Sequence, residues 1–175
     1  SHPLYQPDGG VPLAPSPVAA AGKVLLPDFS RTEMPTPRAM NTAEVAGLAT
    51  RYAHAARCAL DAGFDGVEIH GANGYLLEQF LQTRTNQRID AYGGSIENRC
   101  RVVLEITDAI TEVWGAERVG IRLSPFGIAN DSGEEDPMPL YSHLIQALDT
   151  RSLAYLHLIE PRASGAGQRE VNHQN

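Results

Sequence analysis

An alternation of helix and strand patterns, repeated after residue 40, constrains this fold more than any other feature. Helical spacing of apolar residues covers 44–63, 96–115 and 139–151, and a short apolar strand pattern follows each stretch at 64–71, 117–125 and 152–162. Parallel strands need a crossover connection, usually a helix, so this alternation predicts βα units and a parallel sheet. The predicted class is therefore α/β.

Local signals set the limits of these elements. Asn41 or Thr42 is a good N-cap for the first helix, while Gly63 and Gly115 act as helix stops. A short helix is predicted at 75–82 and a polar loop at 85–95. The first 40 residues hold eight of the twelve prolines, and only 21–30 could supply a short strand there. We expect one incomplete domain over 1–175, with an irregular or hairpin region at 1–40, βα repeats at 41–162 and a tail at 163–175.

Two parallel folds fit this order, the doubly wound sheet and the TIM barrel. Polar residues on the strands favour the barrel: Glu68 and His70 share a face of the first strand, and Arg122 lies inside the second. No G-x-G-x-x-G follows any strand, as nucleotide-binding doubly wound folds would show. A barrel has eight strands and typically about 250 residues. The prediction is a partial (β/α)8 TIM barrel that cannot close by itself.

Charge and hydropathy exclude some partners. The formal net charge of −7 argues against binding nucleic acid or an anionic membrane surface. No apolar run approaches the ~18 residues of a membrane span, and the N-terminus lacks the pattern of a signal peptide. We therefore expect a cytoplasmic protein without nucleic-acid or membrane partners.

Three other features have plain structural interpretations. Cys58 and Cys100 lack metal-ligand spacing and are expected to be reduced thiols, buried or half-buried in helices. The acidic loop 131–136 is expected to be solvated surface. A metal site formed by Glu68, His70 and His157 is conceivable but weakly indicated, so no metal is predicted.

The polar groups after the first strand allow two interpretations. His70 and Asn73 could tie down a turn, since Asn tolerates left-handed backbone, or they could converge on one carbonyl oxygen and stabilise negative charge there. Tyr75, expected in the first turn of the next helix, could be a packed ring or a general acid. Spacing alone does not decide between these interpretations.

Arg122 raises the same question. A charge inside an apolar strand is costly unless it is paired or meets a ligand. It could form a buried ion pair with Glu68, or it could be a cation held against an electron-rich cofactor edge.

Five longer motifs carry a family resemblance. They are PRAM at 37–40, AGFDGVEIHGANGYLLEQFL at 62–81, NQRIDAYGGSIENR at 86–99, RVGIRLSP at 118–125 and YLHLIEPR at 155–162. In this order and spacing the chain resembles the old yellow enzyme family of FMN-dependent NAD(P)H ene-reductases. The resemblance implies an eight-stranded barrel with FMN at its C-terminal mouth, of which this chain covers about strands four to six.

The resemblance also implies roles for individual residues. His70 and Asn73 match the pair that hydrogen-bonds the carbonyl or nitro oxygen of the substrate, and Tyr75 matches the proton donor. Arg122 matches the arginine that lies against the flavin. The implied cofactors are FMN and NAD(P)H, and the implied substrate is an activated alkene or enone.

The resemblance sets limits as well. The family's chains are longer, so its earlier flavin-contacting strands are expected before Ser1 and its phosphate-binding strands after Asn175. The isolated chain is expected to bind FMN poorly and to be inactive. A homo-oligomer of the full-length protein remains open. The alternatives are a non-catalytic fragment or complementation module and, less favoured, a flavin-independent TIM-barrel lyase.

Overall fold

The computed structural model of the chain describes residues 2–160. Its α-helices are α1 (Thr42–Ala46), α2 (Leu48–Asp61), α3 (Leu76–Leu81), α4 (Ile96–Trp114) and α5 (Pro137–Asp149). Its strands are β1 (Leu13–Ala14), β2 (Lys23–Leu25), β3 (Arg31–Glu33), β4 (Arg38–Ala39), β5 (Val67–Gly71), β6 (Val119–Leu123) and β7 (Tyr155–Leu158). The predicted tail and residues 161–162 of the predicted last strand lie outside the described residues. None of the described helices combines the length and hydropathy that a membrane span requires.

The three strands that follow the long helices form one parallel sheet in the order β5–β6–β7. The register places His70 opposite Arg122, and Arg122 opposite His157. The prediction of βα units and a parallel sheet is confirmed. Because the strands are parallel, their carboxyl ends meet at one edge of the sheet.

The two faces of this sheet differ in chemistry. On the helix-covered face Ile69, Ile121 and Leu123 are buried among residues of α3, α4 and α5. Trp114 at the end of α4 donates from Nε1 to the carbonyl of Ala56 in α2, at 2.9 Å. The opposite face carries Glu68, His70, Gly120, Arg122, Tyr155 and His157. Helices cover one face only, as they do on the outside of a barrel.

Tyr155 and Gly120 are cross-strand neighbours on the uncovered face. A Cβ built on Gly120 would lie 2.3 Å from Cζ of the Tyr155 ring. The ring therefore occupies the space that a side chain at position 120 would need. Burial, and then the nearby Glu68 carboxylate, raise the pKa of the Tyr155 phenol.

Helix limits were predicted with mixed success. For α4 the prediction of 96–115 is confirmed to within one residue, because Ser95 caps the first turn and Gly115, with φ of 79°, ends the last. The single helix predicted over 44–63 is wrong. It is two helices separated by Gly47, and α1 has its own capping box of Asn41 and Glu44. Gly has a weak helical preference, so a break there costs little.

The first 40 residues hold more structure than the one predicted strand. Strands β2 and β3 form an antiparallel hairpin, with Val24 opposite Thr32, and β1 pairs with β4 in parallel. Arg88, with a side chain only 8% exposed, donates to the carbonyls of Pro15 and Met40 and forms an ion pair with Asp90. This guanidinium joins the N-terminal region to the loop before α4.

Two expectations about polar side chains are corrected. Cys100 is buried, which raises the pKa of its thiol to about 12, but Cys58 is exposed on α2. The acidic loop is not simply solvated surface. Asp131 forms an ion pair with Arg84, and Glu134 is buried against Arg99, at 3.2 Å between Oε2 and Nη1. These arginines lie far away in sequence, so the charge pattern of the loop did not indicate them.

Candidate active site

The candidate site lies at the carboxyl ends of β5 and β6. His70 and Arg122 are paired there in register and point to the uncovered face of the sheet. The chain after His70 turns sharply before α3, and this turn carries the other candidate residues.

The turn spans Ala72 to Tyr75 and is closed by a hydrogen bond of 3.3 Å from the Tyr75 N–H to the Ala72 carbonyl. Both central residues have positive φ, 58° for Asn73 and 72° for Gly74, as in a type I′ turn. The turn-forming interpretation of Asn73 is therefore right for its backbone. Its side chain remains available for a second role.

Side chains hold all three peptide groups of this turn. The four contacts are Asn73 N–H to Ser124 Oγ (2.8 Å), Gly74 N–H to Glu78 Oε2 (2.5 Å), Asn130 Nδ2 to the Asn73 carbonyl (2.8 Å) and Gln79 Nε2 to the Gly74 carbonyl (2.8 Å). The segment after β6 also packs closely on the turn: a Cβ on Gly74 would lie 2.3 Å from the Ala129 carbonyl oxygen. The turn is therefore held by α3, by Ser124 after β6 and by the segment that contains Asn130.

Tyr75 is the N-cap of α3 and has extended backbone, with φ of −84° and ψ of 178°. This corrects the expectation that it lies inside the first helical turn. Its side chain is 57% exposed, and its ring centroid lies 5.5 Å from that of His70, with the planes inclined at 54°. The structure thus brings the imidazole and the phenol together at the strand end.

Arg122 does not form the ion pair with Glu68 that was considered. Glu68 instead meets His157, at 3.0 Å between Oε2 and Nδ1. The Nε atom of Arg122 is buried and has no hydrogen-bond partner among residues 2–160. Nor does this range contain a cluster of His, Cys, Asp or Glu suited to a metal ion. A guanidinium with an unsatisfied donor fits a polar, electron-rich ligand such as a flavin edge.

Sequence analysis missed Glu78, which is fully buried on α3. Besides Gly74, it accepts hydrogen bonds from Ser124 Oγ (2.5 Å) and from the Tyr141 hydroxyl (2.9 Å). Burial raises the pKa of its carboxyl group, and these hydrogen bonds oppose that shift. The available signal was its position beside the core residue Leu77, on a helix that is mostly apolar.

A parallel sheet with helices on one face, and with polar groups gathered at the carboxyl ends of its strands, is the architecture of a (β/α)8-barrel enzyme. The sequence profile of the NADH:flavin oxidoreductase / NADH oxidase family matches residues 5–175. The chain belongs to this family, whose cofactors are FMN and NAD(P)H. The resemblance to old yellow enzymes is confirmed.

Individual relatives agree with this assignment. The chain is 46% identical over 171 residues to a putative 12-oxophytodienoate reductase of Oryza sativa, covering 97% of this chain and 44% of the relative. It is 48% identical over 157 residues to a probable flavin mononucleotide-dependent alkene reductase of Leishmania infantum, covering 87% and 43%. The solved structure of morphinone reductase superposes with a TM-score of 0.89 at 47% identity, covering 95% and 46%. The chain therefore spans less than half the length of these relatives, and the expected partial barrel is confirmed.

Proposed function

We propose that this chain is the central part, about strands four to six, of an FMN-dependent oxidoreductase that reduces activated C=C bonds at the expense of NAD(P)H. The observation that carries the proposal is the placement, at one edge of the sheet, of Arg122, whose buried Nε has no hydrogen-bond partner among residues 2–160, beside the adjoining rings of His70 and Tyr75. The names of the relatives, an alkene reductase and an oxophytodienoate reductase, support the same chemistry.

His70 and Asn73 are the proposed substrate donors. Imidazole and amide N–H groups can hydrogen-bond the carbonyl oxygen of an enone or the oxygens of a nitro group. Negative charge develops on that oxygen during reduction, so fixed donors there stabilise the transition state more than the ground state. The turn at Asn73 suits this role because hydrogen bonds fix its backbone, and the backbone sets the direction in which the Asn73 side chain extends.

Tyr75 is the proposed general acid. Its exposed phenol at the start of α3 can deliver a proton to the α-carbon of the alkene, which balances the hydride received at the β-carbon. The 5.5 Å between the two ring centroids lets Tyr75 act on the alkene whose activating group is bound by His70.

Arg122 is the proposed flavin contact in this chain. FMN, when bound, supplies the hydride chemistry of both half-reactions. The half-buried guanidinium would hold the electron-rich edge of the isoalloxazine and favour negative charge on it. The contacts to the FMN phosphate are expected outside residues 1–175, so we propose that 1–175 is one incomplete barrel domain and that the isolated chain is inactive.

A Tyr75→Phe variant of the full-length protein tests the assignment. We expect alkene reduction to fall by roughly 10²–10⁴-fold, because the proton donor is lost, while reduction of the flavin by NAD(P)H is retained. Stopped-flow measurement of the two half-reactions separates these outcomes. Tyr155→Phe is the matched control, since this phenol lies on the same sheet face but belongs to β7, opposite Gly120 and near Glu68. Equal loss in both half-reactions would count against a proton-donor role for Tyr75.

A non-catalytic binding or complementation module is the second candidate. The observation in its favour is the exposure of β7, where Leu156 is 38% and Leu158 is 48% exposed. Edge strands of this kind, which pair on one side only and expose apolar side chains, recruit a partner. Size-exclusion chromatography and thermal melting followed by circular dichroism of the isolated chain distinguish the cases: a cooperatively melting monomer favours an autonomous module, and aggregation favours a cut barrel.

Two further proposals concern the whole protein. We propose a cytoplasmic location, which cell fractionation tests, and light scattering on the full-length protein decides between a monomer and a homo-oligomer. The flavin-independent lyase is disfavoured, because the only lysine, Lys23, lies in the β2–β3 hairpin and forms an ion pair with Glu33.

A further inference from the structure

Glu78 is a fully buried ionisable group that the proposed reaction does not use. Its carboxylate accepts hydrogen bonds on both oxygens. Oε2 accepts from the Gly74 N–H, while Oε1 accepts from the hydroxyls of Ser124 and Tyr141. An ionised carboxylate is an acceptor only, so a set of donors suits its charged form. Its surroundings therefore supply the hydrogen bonds that a buried charge requires.

Two of these contacts lead to the turn that carries Asn73. The Gly74 N–H bonds Glu78 directly. The Asn73 N–H bonds Ser124 Oγ, whose hydroxyl proton is in turn donated to Glu78. Two consecutive peptide N–H groups thus depend on one carboxylate, one directly and one through a hydroxyl.

These are the peptide groups on either side of the Asn73 Cα. Asn73 has a φ of 58°, a left-handed conformation that residues with a side chain seldom adopt without support. The backbone angles at this Cα set the direction in which the amide side chain leaves the chain. Fixing the two N–H groups therefore fixes the direction of the Cα–Cβ bond from which the amide extends.

We propose that Glu78 is a positioning residue for the Asn73 amide. Its carboxylate holds the left-handed turn through the Gly74 N–H and through Ser124, so that the amide meets the substrate oxygen. This inference deepens the proposed function and rests on it. A merely structural Glu78 would join α3, β6 and α5 without any particular effect on the alkene half-reaction.

The test uses the full-length protein that contains this chain, with two readouts. Glu78→Ala removes the acceptor for the Gly74 N–H and for Ser124. We expect kcat/KM for alkene reduction to fall by roughly 10²-fold, the effect of a small misplacement of a catalytic donor, while reduction of the flavin by NAD(P)H stays unchanged. In hydrogen-exchange mass spectrometry we expect faster exchange in peptides that contain residues 73 and 74.

Glu78→Gln should restore most of the activity and the exchange protection. Its carbonyl oxygen can accept from the Gly74 N–H, and its amide group can face hydroxyls, which are able to accept. Tyr141→Phe is the matched control. It removes one buried donor to Glu78 but neither contact to the turn, so we expect wild-type half-reactions and wild-type exchange at residues 73 and 74.

Either of two results overturns the inference: wild-type exchange and alkene reduction in Glu78→Ala, or equal damage in Tyr141→Phe. If Glu78→Ala does not fold, Glu78→Asp is used as the test variant instead. Its shorter carboxylate cannot reach the Gly74 N–H, and unchanged exchange in that variant also refutes the inference. A wild-type protein that binds no flavin would refute the proposed function instead, while the exchange readout would still test the turn.

Discussion

Replacing Gly74 by alanine should be among the most damaging single-methyl changes in this chain. Gly74 is the second central residue of the turn after β5 and has a φ of 72°. A Cβ there would lie 2.3 Å from the carbonyl oxygen of Ala129 and 2.9 Å from Cβ of Asn130. Because the first of these atoms is backbone, no side-chain rotation relieves the overlap.

The magnitude has two parts. A left-handed conformation costs an alanine roughly 1–2 kcal/mol, of which about 0.4–1 kcal/mol is returned because alanine reduces the entropy of the unfolded chain. Overpacking a tight contact costs about 1–3 kcal/mol more. Displacing the segment after β6 would also strain the hydrogen bond from Asn130 to the Asn73 carbonyl. We expect Gly74→Ala to lower the free energy of unfolding by about 2–4 kcal/mol.

Gly94→Ala is the matched control. Gly94 also has positive φ, 80°, but nothing lies within 4 Å of a Cβ built there. It should cost only the conformational part, about 1 kcal/mol or less. Urea unfolding, followed by far-UV circular dichroism and by the fluorescence of the single, buried Trp114, measures both variants. If the two variants lose the same stability, the close approach of the segment after β6 to the turn is not a real constraint.

Two further predictions concern ionisable groups. The pKa of Glu44 is lowered to about 2 by its hydrogen bonds with Arg38 and the Asn41 N–H. A carboxyl group whose pKa is lower in the folded state than in the unfolded chain stabilises the fold above pH 4.5, and this stabilisation is lost as the pH falls through about 2. The difference in unfolding free energy between wild type and Glu44→Gln should therefore shrink in acid. A pH-independent difference would contradict this. Maleimide should label one thiol of the native chain, Cys58, and Cys100 only after unfolding; rapid native labelling of both would refute the burial of Cys100.

The sequence predicts well where local signals decide the structure. For α4, an apolar stripe lies between a serine cap and a glycine stop, and both signals are read within the helix itself. The parallel sheet follows from the alternation of elements, since few other arrangements satisfy it. The candidate residues at the end of β5 were predicted from residue type and from a resemblance that spans nearly the whole chain.

The prediction was wrong or incomplete where partners distant in sequence determine the burial of a side chain. The buried state of Glu134 depends on Arg99, which lies on α4 and is not indicated by the loop's own composition. Glu78 looks like one polar residue of an amphipathic helix until Ser124 and Tyr141 are placed against it. In both cases contacts between elements override the local pattern.

The ring of Tyr155 lies over Gly120, so the substitutions that position 120 tolerates depend on the residue at position 155. A methyl group at 120 collides with the ring at 2.3 Å, so that substitution is unfavourable while the tyrosine is present. Once position 155 holds a smaller residue, the space opens and larger residues at 120 become acceptable. The Tyr155 ring therefore has to rotate away, or the residue at 155 has to become smaller, before a side chain fits at 120. Among descendants of this sequence, the two sites should covary, with large residues at 120 found mainly beside small ones at 155.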